Sequence, residues 1–71
     1  MSTGMQTVTI NGKPKEIPVP VTVVGLLEFL SISGPHVAVE CNRELVLKRD
    51  YAQRSIEAGD VLEIVTFVGG G

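Results

Sequence analysis

The 71-residue sequence has one cysteine, no tryptophan, one tyrosine and two phenylalanines. A lone cysteine cannot close an internal disulfide, so nothing covalent staples the fold, and a reducing cytoplasm is the expected setting. Basic residues are few: six Lys and Arg against eight Asp and Glu leave a net charge of −2. The longest basic run, Lys48-Arg49, is too short to neutralise several phosphates, so no nucleic-acid partner is expected. Long apolar runs are missing too. Pro18, Pro20, Thr22, Gly25 and Glu28 interrupt the most hydrophobic region, so no membrane span is expected. Met1 to Met5 lack the charged and apolar parts of a signal peptide.

Reactive constellations are equally sparse. His36 has no second ligand at metal spacing, and reads as a loop histidine. Asp50, Glu57 and Asp60 are scattered and form no acid/base pair. Cys41 sits in an apolar alternation with nothing nearby in sequence to lower its pKa, so it reads as a small core residue. The only glycine cluster, Gly69-Gly70-Gly71, has neither the lysine nor the following helix of a phosphate-cradling loop. A chain this short builds one domain with a marginal core and little room for a catalytic pocket. An enzyme is therefore the disfavoured reading.

What is present is strongly patterned. Gln-Thr-Val-Thr-Ile at Gln6 to Ile10 alternates and is β-branched, which predicts a strand with Val8 and Ile10 inward. Asn11-Gly12 is a hairpin signal, because both residues accept positive φ. Lys13 to Val19 is the return strand with Ile17 inward, and Pro14, Pro18 and Pro20 assign it to an edge. Thr22 caps a helix over about Val23 to Ser31, with Val23, Leu26, Leu27 and Leu30 on one face. Gly25 inside it costs roughly 1 kcal/mol against alanine. Ser33-Gly34-Pro35 ends it. Val37 to Cys41 and Leu45 to Leu47 are further strands joined by a turn at Asn42-Arg43-Glu44. Lys48 to Ala58 is a polar loop with one helical turn, anchored by Tyr51 and Ile56. Val61 to Val68 is the last strand, after a turn at Ala58-Gly59-Asp60.

The order β-β-α-β-β-β with short connections predicts an α+β, β-grasp fold, which the resemblance given below makes ubiquitin-like. In it a mixed sheet of four to five strands pairs the first strand with the last in the middle, and one main helix crosses one face. Alternation in the last strand places Leu62, Ile64 and Thr66 toward the helix and Glu63, Val65 and Phe67 away from it. Val65 and Phe67 thus form a candidate partner-docking patch on the open face, a reading favoured over stray surface apolarity. The three glycines lack Cβ atoms and, extended, reach about 10 Å past the sheet. Such a tail suits a carboxylate that enters a narrow channel in another protein, although a glycine ending can also be a frayed terminus.

These pieces together resemble the ThiS-type sulfur carrier proteins of thiamin biosynthesis. The matching stretches are Val-Thr-Ile-Asn-Gly, Thr-Val-Val-Gly-Leu-Leu-Glu-Phe-Leu and Val-Ala-Val-Glu-Cys-Asn-Arg-Glu-Leu-Val. They continue with Arg49-Asp50-Tyr51, Ala58-Gly59-Asp60-Val61-Leu62-Glu63-Ile64 and the terminal Val-Gly-Gly-Gly. Gly25 departs from the helix-favouring residue usual there. Residues 1–4 look like an extension, expected to be flexible, before a β-grasp domain at 5–68 and a flexible glycine tail at 69–71.

The resemblance implies a carrier, not an enzyme. An E1-like adenylating enzyme (ThiF type) uses MgATP to activate the Gly71 carboxylate, with Gly69 and Gly70 threading the channel. A sulfur donor such as a cysteine desulfurase system then yields a C-terminal 1-thioglycine. Its sulfur passes to a thiazole synthase (ThiG type) for the thiazole ring. No cofactor is expected to stay bound to this chain. Two alternatives remain open here: a molybdopterin-synthase-type sulfur carrier, or a ubiquitin-like interaction module or modifier without sulfur chemistry.

Overall fold

Alternating apolar residues and short turns build a five-stranded sheet in the computed structural model, which describes residues 4–33 and 36–67. Strands β1 (Gly4–Ile10) and β2 (Lys13–Val19) form the hairpin expected around Asn11-Gly12, and both turn residues take positive φ, 52° and 81°. The chain continues through a two-residue strand β3 (Val21–Thr22) into helix α1 (Val23–Phe29). Then come β4 (Val37–Cys41), β5 (Glu44–Val46), a 3-10 turn (Lys48–Asp50), β6 (Ser55–Ile56) and β7 (Val61–Thr66). The sheet order is β2-β1-β7-β4-β5, with β1 and β7 parallel and the other neighbours antiparallel. This is the expected mixed β-grasp sheet, with the first and last strands paired at its centre and the proline-bearing β2 at an edge.

One face of the sheet carries the core. Val8, Ile17, Val39, Cys41, Leu62 and Ile64 from the strands meet Val23, Leu26 and Leu27 from α1, with Tyr51 and Ile56 closing one side. No charged or polar side chain is buried among the described residues. A helix this short has no stability of its own and depends on that docking. Its first amides are fully matched: Val23 N–H donates to the Arg54 carbonyl, Val24 N–H to the Tyr51 carbonyl, and Gly25 N–H to the Thr22 hydroxyl at 3.1 Å. The stretch expected to be a polar loop is therefore the cap of the helix. Its β6 also pairs with β3, a two-stranded ladder too short for alternation to reveal.

Several boundaries move. β1 starts at Gly4, opposite Val19, so the strand takes in a residue assigned to the N-terminal extension. The helix stops at Phe29, not Ser31, because Ser31 adopts a left-handed φ of 60°. There its N–H bonds to the Glu28 carbonyl while Ile32 N–H bonds to the Leu27 carbonyl, a Schellman closure without glycine. β5 begins at Glu44 and ends at Val46, one residue earlier than expected, with Val46 buried and Leu45 exposed. Thr66 shares the inward side with Leu62 and Ile64 yet is exposed. Thr66 also lies past the end of β1, whose last pair with β7 is Ile10 with Leu62.

Gly25 also changes meaning. A Cβ there would lie 2.7 Å from Val21 Cγ2, closer than packed atoms come. The close atom belongs to the side chain four residues back, in the strand that leads into the helix, so an added Cβ would force Val21 to shift. Gly25→Ala is expected to destabilise the domain by about 1–3 kcal/mol through overpacking, against the gain of roughly 1 kcal/mol that propensity alone forecasts. The urea midpoint decides the sign.

Candidate functional site

Everything the sequence marks as functional lies on β7 or C-terminal to it. β7 alternates cleanly: Leu62 and Ile64 are buried, while Val61, Glu63 and Val65 are exposed. Phe67, one residue on, donates its N–H to the His36 carbonyl at 2.8 Å and so extends the pairing with β4. Val65 and Phe67 are 49 % and 58 % exposed, so about half of each residue lies on the surface. Gly69, Gly70 and Gly71 lie outside the described residues.

The register brings further groups to Val65. Ala38 stands opposite it across the β4–β7 ladder, Glu40 opposite Glu63, and Leu45 opposite Glu40 on β5. Ala38, Val39, Glu40, Leu45, Glu63 and Val65 line a shallow concavity of about 290 Å³ on the open face. Leu45, 62 % exposed, is the large apolar member that sequence reasoning left out. The signal was available, since a short strand that turns Val46 inward must turn Leu45 outward. Glu40 and Glu63 are like charges directly opposite each other, an arrangement that costs roughly 0.2–1 kcal/mol. A larger concavity, about 370 Å³, lies between α1 and the 3-10 turn, and no residue of β7 lines it.

Two asparagines hold β7 in place. Asn42, at φ 53° in the β4–β5 turn, accepts from Val61 N–H at 3.0 Å and donates to Asp60 Oδ1 at 3.1 Å. Asp60 Oδ2 in turn accepts from Glu57 N–H at 2.8 Å, which closes the turn before the strand. Asn11, in the β1–β2 turn, accepts from Ile64 N–H at 2.8 Å and donates to the Ile64 carbonyl at 3.0 Å. Both asparagines read as turn residues in sequence, and a contact spanning 53 positions leaves no local trace.

The remaining candidates carry no reactive arrangement. Cys41 is fully buried, its Sγ 3.7 Å from Asp60 Oδ2. Burial and then the Asp60 charge push the thiol up from its ordinary value, so it stays protonated at neutral pH. This agrees with the core role expected of it. His36 is exposed and contributes its backbone carbonyl. Lys48 and Arg49 lie exposed on the 3-10 turn. Among the described residues no three His, Cys, Asp or Glu side chains gather as a metal site, and no helix is long and apolar enough to cross a membrane.

β7 is thus a central strand of the sheet beside an exposed apolar face. The model of the ThiS family matches residues 8–71, nearly the whole chain. The chain belongs to the ThiS family. A crystal structure of the thiamine biosynthesis protein ThiS of Geobacter metallireducens superposes with a TM-score of 0.79 at 30% identity, covering 93% of this chain and 100% of that one. An NMR structure of a thiamine biosynthesis protein from the same organism gives 0.80. The β-grasp fold of this chain is thus the fold of its family.

Among relatives known by sequence, a protein of Paramagnetospirillum magneticum named thiazole synthase is 47% identical over 62 residues. That match covers 87% of this chain but 19% of the relative, so the chain spans about a fifth of that protein's length. A protein of Porphyra purpurea, the uncharacterized ycf40, is 34% identical over 65 residues and is matched over 92% of both chains.

Proposed function

We propose that this chain is the sulfur carrier for the thiazole ring of thiamin. The observation that carries the reading is the extent of the family match, which runs through residue 71 and so takes in the three glycines. Support also comes from the relative named thiazole synthase, part of whose length resembles this chain. That pairing favours thiamin over the molybdopterin alternative.

The chemistry begins at the Gly71 carboxylate, a poor electrophile. An E1-like (ThiF-type) adenylating enzyme joins it to the α-phosphate of MgATP, releasing pyrophosphate and leaving an acyl-adenylate. A sulfur nucleophile then attacks the acyl carbon and AMP departs. Sulfide gives the thiocarboxylate directly. A persulfide from a cysteine desulfurase system gives an acyl disulfide, whose S–S bond a second thiol must cleave. A thiazole synthase (ThiG type) takes the sulfur, and the carboxylate returns. The carrier is a substrate at each step; orientation and charge stabilisation come from the partner enzymes. Its own contributions are the threading of Gly69 and Gly70 and docking through Val65 and Phe67, with Leu45 beside them.

The test is intact mass spectrometry after incubation with ATP, a ThiF-type enzyme and sulfide. A gain of about 16 Da at Gly71, oxygen replaced by sulfur, is the expected result. No gain, with the enzyme active on another ThiS-family carrier, would overturn the reading in favour of an interaction module.

A further inference from the structure

We infer that Asn11 is a positioning residue for the C-terminal segment, its side-chain amide standing in for a strand residue against Ile64 and fixing the point at which β7 loses the second of its two held edges. The inference rests on the proposed carrier function and adds to it a residue outside the tail and outside the docking face.

The backbone of β1 serves β7 only briefly. Thr9 N–H bonds to the Asp60 carbonyl and Asn11 N–H to the Leu62 carbonyl, each at 2.9 Å. The hairpin then turns away through Gly12, and no main chain of β1 reaches Ile64. Asn11 fills that place with one acceptor and one donor, as a peptide group would, and matches both polar groups of Ile64. Two residues further on, the period of the strand aims the Thr66 N–H and carbonyl at the same side. Nothing from β1 lies there, whereas β4 on the opposite edge still pairs Val37 with Thr66. So β7 is held on both edges as far as Ile64 and on one edge beyond it.

Turn geometry alone does not demand an asparagine here. At φ 52° glycine is at least as comfortable, and Gly-Gly also makes this hairpin turn. What glycine lacks is the amide. Without it the second edge of β7 would be released two residues earlier, at Leu62. The Ile64–Phe67 stretch would then offer the Gly71 carboxylate to a partner over a wider range of positions. Reaction rates respond steeply to such freedom: a misplacement of about 1 Å can cost about 100-fold. The Ala38–Val65 pairing and the β4 and β5 parts of the docking face stay in place, so binding should change less than turnover.

Asn11→Gly keeps the turn and removes the clamp; Asn11→Asp keeps the acceptor for Ile64 N–H and sets a carboxylate oxygen against the Ile64 carbonyl. Hydrogen exchange on the free chain should show Ile64 protection falling about tenfold in Asn11→Gly, the loss of one partly buried hydrogen bond, with Val39 unchanged. With a ThiF-type enzyme, kcat for pyrophosphate release should fall about tenfold in both variants while KM for the carrier stays within about threefold. A merely structural role would leave kcat intact for the folded variant. Wild-type kcat in Asn11→Gly, or unchanged Ile64 exchange, would overturn the inference. If the wild-type chain itself is not adenylated, the carrier reading fails instead, and the exchange arm still decides whether Asn11 holds the strand.

Discussion

Gly70→Val is expected to lower adenylation of Gly71 by about 100-fold or more while leaving the unfolding midpoint unchanged. The expectation joins two arguments. A carboxylate that reacts inside a partner's channel must be preceded by residues thin enough to follow it, and a β-branched side chain next to the reacting residue adds bulk and removes backbone freedom. Misplacement near the reacting atoms is charged to the rate, not to the fold. Among the described residues the buried cluster runs from Val8 to Ile64, so the unfolding midpoint is expected to survive a change at position 70. Pyrophosphate release with a ThiF-type enzyme and a urea titration measure the two halves separately. Adenylation of Gly70→Val at the wild-type rate would remove the narrow-channel argument, although Gly71 could still be the activated residue.

The second large effect is on the fold. Leu62→Ala should cost about 2–5 kcal/mol, the range for truncating a buried leucine. Leu62 is wholly buried on the central strand, flanked by Ile10 on β1 and by Cys41 on β4. Native domains hold only about 5–15 kcal/mol in all, and a chain of this size belongs near the lower end. The variant is therefore expected to be largely unfolded at 37 °C, seen as a urea midpoint shifted toward zero with the slope retained. Val65→Ala, three residues along the same strand, supplies the contrast. Its side chain is half exposed, so stability should change by no more than about 0.5 kcal/mol while partner affinity falls. One strand thus divides by parity: Leu62 and Ile64 are buried in the core, and Glu63 and Val65 lie on the exposed face.

That division was open to sequence reading, and so was much else. Alternation in β1, β4 and β7, the Asn11-Gly12 turn, the Thr22 cap and the prolines of β2 are local signals, each set by backbone geometry within a few residues. Their order alone implies the β-grasp topology, because short connections leave few ways to bury one helix on a sheet. The exposure of Val65 and Phe67 likewise followed from alternation alone. What the tertiary structure decided are contacts between segments far apart in the chain. Gly25 is the local exception: it looked like a weak point in the helix, and the packed Val21 side chain four residues back comes too close for a Cβ. The 51–54 segment looked like a loop and proves to cap α1. Asn11 and Asn42 looked like turn residues and prove to bind the backbone of β7 as well. Local propensity reports the conformation a residue adopts; it carries no record of which distant backbone group its side chain will meet, and only the packed sheet determines that.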